Sequence, residues 1–248
     1  MEVQVVRRLE TAGVPELRRL GAWATRAAMP LEGRHRDQPW GLFSTHNLLA
    51  GAVPALPQIG MTCRIVAWSG WLPEDASPEQ GVFFPDHSTW MGAGWAGLVE
   101  VCRWLGPALE ERGMRLCLRP HARHVLSDAS SCLKFVREEE TLPVDVVLEP
   151  AALLTHAMLA EAKTHLERIV GALGAHARVV GILASNVEVV TLEDRGPELR
   201  TTPLMSGVLD PEWVAAPIRA LGAEARSVLL YEEGLPRQLS LIRPAGRA

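Results

Sequence analysis

The sequence predicts an α/β fold in which helices cover a parallel sheet. Predicted strands alternate with predicted helices from residue 40 onward, and each strand is a nearly continuous apolar run without in/out alternation. Strands of that kind are buried on both faces, as in a parallel sheet that is covered by helices. No Ser/Gly/Pro-rich or highly charged stretch divides the 248 residues, so we expect one domain over residues 1–248.

Six strands are predicted from short apolar runs bounded by turn-forming or polar residues. They cover residues 40–47, 63–69, 115–118, 144–148, 178–184 and 226–230. Residues 15–23 are compatible with a seventh strand or with the start of a helix. An eighth strand would have to come from the N-terminal MEVQVV, although the spacing of Val3, Val6 and Leu9 predicts a helix over residues 2–13.

Four helices are predicted between and after these strands. Residues 95–112 form the clearest one, because their apolar side chains make one stripe and Gly113 follows. Residues 129–140 follow Asp128, a good N-cap, and residues 210–221 begin at Asp210. Residues 159–173 form the fourth helix. We expect residues 191–202 to be a surface excursion of the hairpin kind.

The composition indicates an ordinary folded protein of the cytoplasm. Lys and Arg number 25 against 29 Asp and Glu, a formal net charge of -4, so no nucleic-acid partner is expected. No apolar run approaches a membrane span and the N-terminus has no signal-peptide core, so no membrane partner is expected. Cys63, Cys102, Cys117 and Cys132 show no CxxC spacing and are expected to be buried free thiols.

Two neighbouring predicted strands end in the same way, with a charged residue followed by proline. These residues are Arg119 and Glu149. When parallel strands close into a barrel, the residues just past their carboxyl ends gather around one mouth, where such folds place their chemistry. The sequence contains no GxGxxG, Walker or HExxH motif, and no GxSxG in a strand-turn-helix setting, so the nucleotide-binding, zincin and hydrolase classes find no support.

Four runs then resemble the last four strand-helix units of the xylose isomerase-like TIM barrels. The runs are LCLRPHARHVLSDASSCLKFV, PVDVVLEPAALL, VVGILASN and PLMSGVLDPEWVAAPIRALGAEARSVLLYEEG, within residues 95–234. That family contains sugar-phosphate isomerases and epimerases, hydroxypyruvate-isomerase-like proteins, 3-dehydroshikimate dehydratases and endonuclease IV. The resemblance implies a divergent xylose isomerase-like TIM (β/α) barrel, with one strand-helix unit not visible in the sequence.

The same resemblance implies a degenerate metal site. Members of the family hold one divalent metal with a glutamate, an aspartate, a histidine and a second glutamate, which lets the metal polarise a carbonyl or enediolate. Matched by position, the first glutamate is Arg119, the aspartate is Glu149 and the histidine is absent. The last glutamate is Glu232, although a shift of one residue would select Tyr231 or Glu233. A site for Mn, Mg or Zn is therefore implied only in part, at Glu149 and Glu232.

Two functional hypotheses remain open. In the first, the chain is a relative of the sugar phosphate isomerases and epimerases that acts on or binds a small sugar or hydroxy acid. The candidate residues are Glu149 and Glu232 as catalytic groups and Arg119, His121, His46 and Trp68 as substrate contacts. In the second, the barrel is a non-catalytic binding or scaffold protein in which Arg119 pairs with a leftover carboxylate. A homodimer is considered by analogy with other barrels of this kind.

Overall fold

A closed barrel of eight strands forms the centre of the computed structural model, which describes residues 1–8, 24–32, 38–49, 63–72, 82–192 and 196–243. The strands of the chain are β1 (Glu2–Arg8), β2 (Ala24–Pro30), β3 (Gly41–Ser44), β4 (Arg64–Trp68), β5 (Arg115–Arg119), β6 (Val144–Leu148), β7 (Val179–Leu183), β8 (Ser185–Leu192), β9 (Gly196–Pro203) and β10 (Ser227–Tyr231). The barrel order is β1-β10-β7-β6-β5-β4-β3-β2, and β8 and β9 form a separate antiparallel hairpin. The predicted α/β barrel is confirmed.

The barrel is parallel except around β2. Strand β1 pairs in parallel with β10, whereas β2 runs antiparallel to both β1 and β3. From β3 to β7 every neighbouring pair is parallel. The carboxyl ends of seven strands and the amino end of β2 therefore meet at one end of the barrel, which we call the mouth.

Within the described residues, five helices flank the barrel: α1 (Gly92–Glu110), α2 (Ala129–Glu138), α3 (Ala162–Leu173), α4 (Pro211–Leu221) and α5 (Leu235–Ile242). Shorter 3-10 turns lie at His87–Trp90, Pro150–Leu153, His156–Glu161 and Gly222–Glu224. The predicted N-cap at Asp128 is confirmed, because its carboxylate accepts a hydrogen bond from the Ser131 N–H at 2.7 Å. Among the helices in the described ranges, none combines the length and apolarity needed to cross a membrane.

Apolar side chains pack in two layers, one inside the barrel and one between barrel and helices. The inner layer consists of Val6, Ala28, Phe43, Val66, Cys117, Val147, Val180, Leu183, Leu229 and Tyr231, with Trp40 against it. The outer layer is larger and includes the buried apolar side chains of the helices. All four cysteines are buried free thiols, as predicted.

The N-terminal strands are the part of the fold that the sequence did not predict well. The helix predicted over residues 2–13 is wrong, because Glu2–Arg8 is a barrel strand; residues 9–13 and the ambiguous segment 15–23 lie outside the described residues. MEVQVV thus supplies one strand, and Ala24–Pro30 is a further strand that was not predicted. The closed barrel has its full eight strands, and none is missing.

Candidate binding site at the barrel mouth

A buried ion pair lies at the mouth, between the ends of β5 and β6. Arg119 Nε donates to Glu149 Oε2 at 2.5 Å, and Nη2 pairs with the same oxygen. The Glu149 side chain has no exposed surface and that of Arg119 is 12% exposed. This is the arrangement that the scaffold hypothesis expected, with Arg119 paired to one of the retained carboxylates.

Aromatic rings hold the Arg119 guanidinium in place. The parallel register of β4 and β5 pairs Trp68 with Arg119, and Arg119 Cζ lies 3.7 Å from the centre of the Trp68 ring. The Phe43 ring, inside the barrel, lies 5.8 Å from the same carbon. A guanidinium over an indole face at this distance is attracted by the ring quadrupole, more strongly when both are withdrawn from water. Arg119 is therefore fixed from two sides.

One carboxylate oxygen of Glu149 is unpaired in the described part of the chain. Its Oε2 accepts from Arg119, whereas Oε1 has no hydrogen-bond partner among the described residues. A buried carboxylate oxygen without a donor costs free energy, so such an atom is rarely left unpaired. Oε1 is thus a buried acceptor that the described residues leave unsatisfied.

Tyr231 and Arg26 complete the mouth; the sequence had named Tyr231 only as an alternative to Glu232 and had not marked Arg26. Tyr231 ends β10, is 7% exposed and lies near Arg119, whose charge opposes the effect of burial on the Tyr231 pKa. Burial raises the pKa of Tyr231 above its ordinary value, so its hydroxyl is a neutral donor and acceptor. Arg26 of β2 places its Cζ 4.9 Å from the centre of the Tyr231 ring. Tyr231 had two usable signals, because it is the only tyrosine of the sequence and directly follows the strand predicted over residues 226–230. Arg26 had none, because β2 was not predicted.

His121 belongs to a packed aromatic cluster beside the ion pair, together with His124, Trp68, Trp71 and Phe83. Its ring centre lies 5.4 Å from that of Trp68, and its Nδ1 accepts from the Arg123 N–H at 3.0 Å. Burial, with help from the nearby Arg119 and Arg123 charges, lowers the pKa of His121 to about 3.

His124 is neutral for the same reason, since burial is the largest cause of a pKa well below its ordinary value. The His124 ring stacks on that of Trp71 at 4.9 Å between centres. Neither imidazole carries a charge at neutral pH, so these histidines shape one wall of the mouth and add no positive charge to it.

Glu232 is not brought together with Glu149. Its Oε1 lies 3.4 Å from Arg7 Nε, and its side chain is 43% exposed. Arg7 pairs with Ala27, which packs in the outer layer, whereas Val6 and Tyr231 point into the barrel. Because side chains alternate along a strand, Arg7 and the residue after Tyr231 face outward. The two predicted catalytic carboxylates therefore lie on different faces of the barrel wall.

His46 is half-buried and lies two residues beyond the end of β3, at the same end of the barrel. Its N–H donates to Ser44 Oγ at 3.2 Å. The structure thus brings Arg119, Glu149, His121 and Trp68 into one cluster and leaves Glu232 outside it.

The β8–β9 hairpin leaves β7 at the mouth and packs beside the site. Arg123, in the loop after β5, pairs with Glu198 of β9, with Nε and Oε2 at 3.2 Å. Val190 of β8 packs against Val82 and Phe84. The hairpin is longer than the predicted excursion over residues 191–202, since it starts at residue 185. It brings a second chain segment over the aromatic cluster.

The residues of this mouth do not fit a divalent metal. In the described ranges, no group of three or more His, Cys, Asp or Glu side chains could hold a metal ion. A guanidinium stands at the position of the first expected carboxylate and engages Glu149, the second. Since Arg cannot lose its proton in a protein, it cannot act as a ligand.

Comparison with known proteins found similar solved structures, whereas no protein-family model and no curated protein matches the chain. The solved structures found include xylose isomerase-like TIM barrels, the group that residues 95–234 resemble. A xylose isomerase domain protein from Planctomyces limnophilus is 19% identical, with a TM-score of 0.44, over 73% of this chain and 57% of that one.

Two other solved structures have similar scores. A xylose isomerase-like TIM barrel protein from Mycobacterium smegmatis, in complex with magnesium, is 13% identical, with a TM-score of 0.45, over 74% of this chain and 61% of that one. A D-tagatose 3-epimerase-like protein is 12% identical, with a TM-score of 0.45, over 73% of this chain and 63% of that one. The chain thus covers less than two thirds of the length of each.

Proposed function

We propose that the chain binds a small sugar or hydroxy acid at the mouth of the barrel, without a divalent metal. The observation that carries this proposal is the Arg119–Glu149 ion pair. It stands at the two positions where the sequence resemblance expects metal-binding carboxylates, and it is almost fully withdrawn from water. A single positive charge held by Trp68 and Glu149 takes the place where the family pattern puts a cation.

The groups of the mouth suit a polyhydroxylated ligand. Sugar hydroxyls need donors and acceptors in fixed directions, within a site whose other walls are apolar. The free Glu149 Oε1 is an acceptor, and the Tyr231 hydroxyl can donate or accept. Arg119 is held against Trp68 at 3.7 Å, so its unused N–H groups are preorganised and lose little freedom when a ligand binds.

Isomerisation or epimerisation of that ligand is a second candidate function. The observation in its favour is again Glu149 Oε1, because a buried carboxylate with a free oxygen can remove a proton from a carbon beside a carbonyl. Glu232 does not supply a second carboxylate, since it pairs with Arg7 on the outer face. A reaction would therefore rely on Glu149 with Tyr231 as its neutral partner.

Calorimetric titration in the presence of EDTA tests the binding proposal. The ligands are D-fructose, D-fructose 6-phosphate and D-gluconate, titrated into the purified protein and into Glu149→Gln. We expect the unchanged protein to bind in EDTA, with the same affinity when EDTA is omitted and Mn²⁺, Mg²⁺ or Zn²⁺ is added. Glu149→Gln should bind more weakly. Asp145→Asn is the matched control, because Asp145 pairs with Arg115 at the opposite end of the same two strands, at 2.9 Å.

Three outcomes distinguish the candidates. Binding that requires a metal refutes the metal-free proposal. Failure of all three ligands to bind contradicts the binding proposal and favours the hypothesis of a non-catalytic scaffold. Incubation of a bound ketose in D₂O, followed by NMR, tests catalysis: loss of a carbon-bound proton signal that depends on Glu149 supports the isomerase or epimerase candidate.

A further inference from the structure

We propose that Arg26 is the anion-binding residue of this mouth, so that the ligand carries a phosphate or carboxylate group beside its hydroxyls. This inference rests on the proposed function above and names the class of ligand. It assigns the recognition of the anion to a residue on the antiparallel strand β2 and not to Arg119, which the sequence predicted as a substrate contact.

The balance of charge at the mouth points to Arg26. The Arg119 charge is already neutralised by Glu149 through two guanidinium nitrogens. His121 and His124 are buried and neutral. Among the residues described, no carboxylate forms an ion pair with Arg26. Within the described part of the chain, the Arg26 guanidinium is therefore not neutralised by a carboxylate, and it is suited to an anionic group.

The position of Arg26 follows from the direction of β2. Strand β2 is antiparallel to its neighbours, and the register pairs Arg26 with Arg8 of β1 and with Phe43 of β3. The Phe43 ring lies 5.8 Å from Arg119 Cζ, and the Tyr231 ring lies 4.9 Å from Arg26 Cζ. The third residue of β2 therefore lies at the mouth, where the last residues of the parallel strands also lie.

The geometry of Arg26 suits a binding residue. Its side chain is half-buried, so it is neither sealed in the core nor free in solvent, and the Tyr231 ring at 4.9 Å restrains the guanidinium. The planar guanidinium offers paired N–H donors that match a phosphate or carboxylate in a bidentate manner. Glu149 Oε1 then remains for a hydroxyl of the same ligand. A sugar phosphate and a sugar acid both combine these two features.

Affinities for D-fructose, D-fructose 6-phosphate and D-gluconate, measured by calorimetry at low and high salt, test this assignment. We expect the protein to bind at least one anionic ligand more tightly than D-fructose, with a preference that weakens as salt is added. Arg26→Gln should lower the affinity for the anionic ligand by about tenfold or more, the cost of one charge-assisted hydrogen-bonding partner. D-fructose binding should change by less than about twofold, within the usual effect of a change that removes no contact.

Two further variants make the test specific. Arg64→Gln is the matched control, because Arg64 lies over the Trp40 ring at 4.6 Å in the same kind of contact but at the amino end of β4. It should leave all three affinities unchanged. Arg26→Lys keeps the charge and loses the planar fork, so it should retain part of the anion preference. Thermal melting of each variant shows that it is folded.

The outcomes separate this inference from the function on which it rests. If the protein binds D-fructose and the anionic ligands equally, or if Arg26→Gln keeps the preference, Arg26 does not bind the anion although the sugar site stands. If D-fructose 6-phosphate alone shows the effect, the anion is a phosphate ester, and if D-gluconate alone shows it, a carboxylate. If none of the three ligands binds, the proposed function and this inference are both overturned.

Discussion

Replacing Arg119 with methionine should destabilise the protein strongly. The change removes the guanidinium and leaves the Glu149 carboxylate, which has no exposed surface, without either donor. Removing one partner of a buried ion pair costs about 3–5 kcal/mol, because the remaining charge stays buried and unpaired. The lost contact with Trp68, now at 3.7 Å, adds to this. We expect the free energy of unfolding to fall by about 4 kcal/mol.

A matched variant exists at the other end of the same strands. Arg115 of β5 pairs with Asp145 of β6 at 2.9 Å, with side chains 45% and 12% exposed. Such a partly exposed pair contributes about 1 kcal/mol or less, so Arg115→Met should cost that little. At roughly 2–4 °C per kcal/mol for a chain of this size, the melting temperature should fall by roughly 8–16 °C in Arg119→Met and by less than about 4 °C in the control.

Urea unfolding followed by circular dichroism measures both variants, and a double variant sharpens the test. Arg119→Met/Glu149→Leu removes both charges and should recover much of the lost stability, since an apolar pair of similar volume often replaces a buried ion pair at no cost. The reasoning is refuted if Arg119→Met costs no more than Arg115→Met. It is also refuted if the double variant is as unstable as the sum of its single changes.

Three further predictions concern the surroundings of the ion pair and the core. Because His121 and His124 have folded pKa values far below the unfolded 6.5, the unfolded chain binds more protons below that pH, and stability should fall as the pH drops from about 6.5 toward 3. Urea unfolding from pH 7 to pH 5 measures how steeply the free energy of unfolding falls as the pH drops. This slope should be shallower in His124→Phe by up to about 1.4 kcal/mol per pH unit and unchanged in His156→Gln, an exposed position. Equal slopes in the unchanged protein and both variants contradict this. Arg123→Gln breaks the pair with Glu198 and should speed hydrogen exchange in the hairpin with little change in global stability, and unaltered exchange there would show that the pair does not hold the hairpin. Burial raises the pKa of all four cysteine thiols, so a thiol reagent at pH 8 should react only after denaturation; rapid reaction of the native protein contradicts their burial.

The sequence predicted the barrel well wherever the strands are parallel. From β3 onward, each predicted run contains the observed strand, apart from one residue at the ends of β5 and β10, because a strand buried on both faces must be apolar throughout. Helix α2 also begins where Asp128 predicted it, since an N-cap is a local feature. Such features do not depend on distant parts of the chain.

The N-terminal strands depend on distant parts of the chain, so β2 was not predicted and β1 was considered only as an alternative to a helix. Strand β1 is a strand because it pairs with β10, more than two hundred residues later, and that pairing overrides the helical spacing of Val3 and Val6. Strand β2, ATRAAMP, contains three alanines and one β-branched residue, so its composition does not favour a strand. Its place between β1 and β3 determines its structure.

The candidate site residues also differ in how far the sequence could predict them. Arg119 and Glu149 could be identified because each follows an apolar run, and parallel strands bring such ends together. The outward direction of Glu232 could not be read from the sequence, since it depends on which residues of β1 and β10 face the interior. A shift of one residue in that alternation exchanges the inner and outer faces. Here Tyr231 faces inward, and Glu232 pairs with Arg7 outside.

The antiparallel strand changes which residues can serve the mouth. In a fully parallel barrel, the residues at the mouth come from the carboxyl ends of the strands, so candidate site residues are expected there. Strand β2 runs the other way and contributes the residues at its beginning, including Arg26. The Arg26 charge lies beside the Tyr231 ring, on the antiparallel strand. The residues that the family pattern selects instead follow the carboxyl ends of parallel strands. Glu149 neutralises Arg119, and no carboxylate of the described residues pairs with Arg26, so our proposal is an anionic ligand bound without a metal. The Arg26→Gln titration measures that preference directly.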